Sequence, residues 1–193
     1  LLEAMAECQI TADGVTKKLE EPFIVMATEN PLESYGTFPL PEAQMDRFMM
    51  RMKLGYMTRE EESSVALRRD TNDIIEELPQ AVTREETLAL RASLDSIEIS
   101  ELVMSYIMDI IEKTRNDSRA NIGASPRGTI ALCKAARVYA AFNGRDFVTP
   151  DDVKKLAPRI LAHRLYYRTA VGSAESEELF NDMLSEIKVP TEA

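Results

Sequence analysis

The setting of Arg127 asks for an explanation. It follows Ser125-Pro126 and precedes Gly128. A serine cap with proline at the first helical position marks a helix start. Thr149-Pro150-Asp151-Asp152 is a second such start, and its acids sit in the first turn, where the positive end of the helix dipole favours them. Arg127 puts a cation in the same place. That arrangement costs roughly a few tenths of a kcal/mol unless an anion lies nearby. A helix N-terminus carrying an arginine is a natural phosphate site. The other reading is a surface arginine paired with a carboxylate.

Asn30 and Arg47 are the other candidates. Asn30 follows the apolar run Phe23-Ile24-Val25-Met26-Ala27-Thr28 and Glu29. At the carboxyl end of a buried strand it would face the edge where open α/β sheets bind ligands. Asn30-Pro31 is equally a common turn start. Arg47 ends a short helix that begins at Glu42, where a salt bridge or a contact with the helix's negative end is the ordinary outcome. His163-Arg164 stands at a helix C-terminus, which also favours cations. Lys154, Lys155, Arg159, Arg164 and Arg168 form a basic stripe that reads as a solvated face.

Gly123-Ala124-Ser125-Pro126-Arg127-Gly128 has the spacing of the first part of a phosphate-binding P-loop. The match fails where the chemistry lies. Thr129-Ile130 replaces the Lys and Ser/Thr that hold phosphate and Mg²⁺, and Pro126 removes a backbone donor. No other GxxxxGK[ST] string occurs in the chain.

These residues need elements to position them. Cys8 to Leu19 reads as a β-hairpin turning at Asp13-Gly14. Residues 23–28 read as a strand buried on both faces, and a second strand is expected near 49–54. A short helix from Glu42 lies between them. After Gly55 every element reads as helical. Thr58-Arg59-Glu60-Glu61 and Thr83-Arg84-Glu85-Glu86 are capping boxes. Ser100 opens a helix to about Asn116, Ser125 one to about Phe142, and Thr149 a third. A last amphipathic helix carries Leu179, Phe180, Met183, Leu184 and Ile187. The fold class is therefore mainly α with a small β portion. The expected division is 1–57, holding the strands, and 58–193, a helical bundle. Strands 23–28 and 49–54 cannot form a stable parallel sheet alone. The chain also starts without Met, so it reads as part of a longer one.

Bulk properties narrow the function classes. The chain has 193 residues and a net charge of −10, a poor match for phosphate-rich nucleic acid. No apolar run reaches a bilayer span, and residues 1–10 lack a signal-peptide pattern. Cys8 and Cys133 stand alone, which suits a reducing compartment and a cytoplasmic location. A single histidine excludes a His-rich metal site, and no metal ligands are assigned.

Taken together, the segments resemble the MoxR family of AAA+ ATPases over nearly the whole chain. Residues 1–7, Leu-Leu-Glu-Ala-Met-Ala-Glu, resemble the helix after the Walker B strand. Phe23 to Pro31 resembles the sensor 1 strand, and Tyr35 to Phe48, with Pro41-Glu42-Ala43-Gln44-Met45-Asp46-Arg47-Phe48, is the most specific stretch. Gly123 to Arg127 resembles the start of the sensor 2 helix of the lid, and 145–153 with His163-Arg164-Leu165 completes the lid pattern. The resemblance implies the C-terminal end of an α/β AAA+ core followed by an all-α lid. It implies that Asn30 is sensor 1, Arg47 an arginine finger acting on the neighbouring subunit's ATP, and Arg127 sensor 2. It implies ATP and Mg²⁺ as cofactors, bound mainly by an upstream half with Walker A and Walker B, which this chain lacks. The chain alone is then expected to be inactive. The implied partners are that upstream half, a homo-oligomeric ring taken as a hexamer, and a von Willebrand factor A domain protein. The implied work is chaperone-like maturation or assembly of protein complexes. The competing readings are a non-catalytic helical interaction module, or a related AAA+ protein such as a magnesium chelatase ATPase subunit or a helicase.

Overall fold

The computed structural model describes residues 2–29, 40–67, 78–169 and 171–190. Helix α1 (Leu2–Glu7) leads into the hairpin β1 (Gln9–Ala12) and β2 (Val15–Lys18), paired antiparallel with Ala12 opposite Val15. Asp13 and Gly14 have φ of 51° and 77°, as a two-residue primed turn requires. Glu3 ties helix to hairpin by accepting from the Thr11 backbone N–H at 2.9 Å and the Thr11 hydroxyl at 2.6 Å.

Helix α2 (Glu42–Met45) is one turn long. Helices α3 (Arg59–Leu67) and α4 (Arg84–Ser93) open on their capping boxes, Thr58 with Glu61 and Thr83 with Glu86. The core lies later, among α5 (Glu101–Asn116), α6 (Pro126–Phe142), α7 (Pro150–Leu161) and α8 (Ser173–Ser185). Ser100, Ser125 and Thr149 cap α5, α6 and α7 as expected. Tyr106, Ile107, Ile110 and Ile111 of α5 meet Leu132 of α6, Ile160 and Leu161 of α7, and Phe180 and Met183 of α8. Helix α6 turns an alanine face inward (Ala131, Ala135, Ala136, Ala140), so α7 packs closely along it.

Two expectations fail. Residues 23–29 and 49–54 form no strand; Met26 is 91% exposed and Leu54 96%. A strand of that kind exists only through ladder partners on both sides, and no described segment supplies them. The reading of everything after Gly55 as helical also misses a small sheet. Strand β3 (Ala120–Ile122) pairs antiparallel with β4 (Tyr166–Tyr167), and an isolated parallel bridge joins Glu98 to Phe147. Three- and two-residue strands are too short to show a period of two.

Helices α3 and α4 bury no residue, whereas Met50 packs against the helical core.

Candidate functional site

The N-terminus of α6 and the C-terminus of α7 lie side by side, and residues 46–51 run between them. The loop before α6 is clamped first. Thr114 Oγ donates to the Ile111 carbonyl at 2.7 Å and accepts from the Ala124 backbone N–H at 3.0 Å. Arg115 Nε donates to the Ala124 carbonyl at 3.0 Å. A Cβ on Gly123 would stand 2.6 Å from the Thr114 carbonyl oxygen and 2.7 Å from Arg115 Cα, so only glycine fits there. At Gly128 a Cβ would come within 3.0 Å of Leu161 and 3.3 Å of Arg164. Both glycines of the rejected P-loop match are therefore explained by close packing.

Asp46 lies at the centre of the seam. Ser125 Oγ caps α6 by accepting from the Arg127 backbone N–H at 3.2 Å, and it donates to both carboxylate oxygens of Asp46 at 2.9 Å. Arg164 Nη1 donates to Asp46 Oδ1 at 2.8 Å and also to the Asp46 carbonyl. Arg127 Nη1 lies 3.5 Å from Asp46 Oδ2. The anion that an arginine in this first turn requires is thus supplied by the chain itself.

The other end of the seam caps α7. The last carbonyls of a helix have no partner within it. Here the Arg51 backbone N–H donates to the Arg159 carbonyl at 2.9 Å, and Arg164 Nε to the Ile160 carbonyl at 2.8 Å. Arg164 Nη2 reaches the Phe48 carbonyl at 2.7 Å, and His163 Nε2 meets the same oxygen at 3.1 Å. A carbonyl only accepts, so Nε2 carries the proton and Nδ1 is left buried without a partner among the described residues. Burial pushes the His163 imidazole down to about 4, and the nearby charges of Arg164 and Arg51 act in the same direction.

The three candidate residues fare differently. Asn30 lies outside the described residues. Arg47, in the turn after α2, is half-buried and makes no ion pair among the described residues. Arg127 is 59% exposed and paired with Asp46, the neighbour of Arg47. Sequence reasoning gave Asp46 no role of its own, and from position alone it read His163 and Arg164 as cations at a helix end and Arg164 also as part of a solvated stripe. Arg164 also does not belong to a solvated stripe, since its side chain is 2% exposed. Its partners lie about 118 positions earlier in the chain, beyond any local pattern. Among the described residues no group of three or more His, Cys, Asp or Glu could hold a metal ion, and no helix is long and apolar enough to cross a membrane.

The comparisons with known proteins address the same two stretches. The model of the ATPase family associated with various cellular activities (AAA) matches residues 1–50, and that of the AAA lid domain matches 112–183. Protein YeaC of Bacillus subtilis, itself uncharacterized, is 40% identical over 194 residues, covering 100% of this chain and 61% of YeaC. Chaperone MoxR1 of Mycobacterium tuberculosis is 33% identical over 201 residues, covering 98% of this chain and 53% of MoxR1. The crystal structure of a candidate ATPase from Cytophaga hutchinsonii matches with a TM-score of 0.84 at 35% identity, over 98% of this chain and 61% of that one. The chain belongs to the MoxR family of AAA+ ATPases. It spans between 53% and 61% of the length of these relatives. In this MoxR-family chain the two matched stretches meet at the seam. Asp46 and Phe48 come from the first, and Ser125, Arg127, His163 and Arg164 from the second.

Proposed function

We propose that this chain is the lid-side part of a MoxR-type AAA+ ATPase that couples ATP binding and hydrolysis to chaperone-like maturation or assembly of protein complexes. The observation that carries the reading is Arg127. It stands exposed at the N-terminus of a 17-residue helix whose start is clamped from three sides, in a chain of this family. A helix end of that kind with an arginine fork suits a phosphate group.

In this reading ATP and Mg²⁺ are held mainly by an upstream half that carries Walker A and Walker B. Arg127 acts as sensor 2 on the nucleotide of its own subunit. Asn30 acts as sensor 1 and orients the attacking water. Arg47 acts as the arginine finger on the ATP of the next subunit in a ring, taken as a hexamer, where it stabilises charge that develops on the transferring phosphoryl group. The work is done in the cytoplasm, with a von Willebrand factor A domain protein as partner.

The test uses the full-length protein. Arg47→Ala abolishes hydrolysis, by about 10³–10⁵ in rate, with nucleotide affinity nearly unchanged. Mixing Arg47→Ala subunits with Walker-defective subunits creates some interfaces with an intact P-loop facing an intact Arg47, and activity partly returns. If mixed rings form and restore nothing, the trans assignment of Arg47 falls.

A further inference from the structure

The carboxylate of Asp46 has partners of two kinds. Ser125 at 2.9 Å and Arg164 at 2.8 Å hold it from the inside, and the Arg164 guanidinium is nearly inaccessible. Arg127 holds it from the outside, at a longer 3.5 Å and with most of its side chain in solvent. If Arg127 leaves, Asp46 keeps its hydroxyl and its buried guanidinium, so no buried charge is stranded. Arg127 is therefore the one partner that can be exchanged at small cost, since a solvent-exposed ion pair contributes little.

From this geometry we infer that Asp46 is a positioning residue for the nucleotide reaction. It is an internal anion that parks Arg127 at the N-terminus of α6 and yields it to an incoming phosphate. The inference rests on Arg127 reading nucleotide in its own subunit. Phosphate and Asp46 then compete for one guanidinium, so nucleotide binding is weakened by the strength of the parked pair. Because Asp46 directly precedes Arg47, the exchange takes place at the root of the turn that carries the proposed finger. Arg164 and His163 hold the Asp46 and Phe48 carbonyls on either side of Arg47, so the turn itself stays in place while Arg127 moves.

The test is a double-mutant cycle in the full-length ATPase, read by equilibrium binding of a non-hydrolysable ATP analogue. Asp46→Asn keeps an oxygen acceptor for Ser125 and Arg164 but removes the charge that competes for Arg127. It raises analogue affinity by about two- to fivefold, the span of an exposed ion pair. In an Arg127→Ala background the same substitution leaves affinity unchanged. A purely structural role for Asp46 does not tighten binding. Affinity that is unchanged or lowered in Asp46→Asn, at an unaltered melting temperature, overturns the inference, as does an equal gain in the Arg127→Ala background. Should Asp46→Asn lower the melting temperature, Asp46→Glu decides: the restored charge returns affinity to the wild-type value, and tight binding that persists overturns the inference. The underlying reading fails separately, when Arg127→Ala alone leaves affinity intact.

Discussion

Arg164 Nη1 donates to Asp46 Oδ1 at 2.8 Å, joining residues 118 positions apart. That guanidinium also reaches the Asp46, Phe48 and Ile160 carbonyls, so one buried side chain binds residues 46–48 to the end of α7.

Arg164→Met should therefore lower stability by roughly 3 kcal/mol, since removing one member of a buried ion pair leaves its partner uncompensated. Arg164→Lys should recover little of it, because an ammonium cannot replace the planar fork at five acceptors. Urea denaturation of the chain measures both. A loss below about 1 kcal/mol for the Met variant, in the range of surface pairs, would contradict the assignment.

The same contacts bear on the proposed boundary at 57/58. A piece spanning 58–193 should still melt cooperatively, because α5 to α8 hold the buried core. It should melt below a piece spanning 40–193, which keeps the acceptors of Arg164 and His163. Equal melting temperatures would mean that residues 46–51 add nothing to the bundle.

His163 is the chain's single histidine, so the upper part of the interval from pH 6.5 to about 4, above the ordinary carboxylate range, reports on it. Its folded pKa lies below the ordinary 6.5, which means the unfolded chain takes up the proton first. Stability is then full above pH 6.5 and falls as pH drops toward 4, by at most on the order of 3 kcal/mol. His163→Gln should flatten the melting temperature between pH 6.5 and 4.5. A slope identical to wild type would show that another group titrates there.

Gly123→Ala should destabilise by about 2–4 kcal/mol, because the added Cβ meets only backbone at the end of α5 and nothing there is free to rotate away. Chemical denaturation is the check, and an effect near zero would mean that the 123–125 loop moves freely.

The chain alone should bind ATP weakly or not at all. Arg127 and the start of α6 offer one anion contact, and no string in the chain supplies a phosphate cradle. Micromolar affinity by calorimetry would refute this.

What the sequence determined by itself is local. The starts of α3 to α7 could be read because each cap acts within three residues of its own hydroxyl: Thr58, Thr83, Ser100, Ser125 and Thr149. The hairpin was legible because a primed turn needs positive φ, which Asp13-Gly14 accepts. Arg127 could be marked as a cation short of an anion, because the helix dipole belongs to its own helix. Tertiary structure decided which anion answers it. Asp46 reaches Ser125, Arg127 and Arg164 only once the alanine face of α6 has packed against the apolar face of α7, and no periodicity in the chain encodes a contact across 118 residues. The run at 23–28 shows the same limit from the other side. Its apolar residues call for a sheet, but a strand exists only through partners, and the described residues provide none.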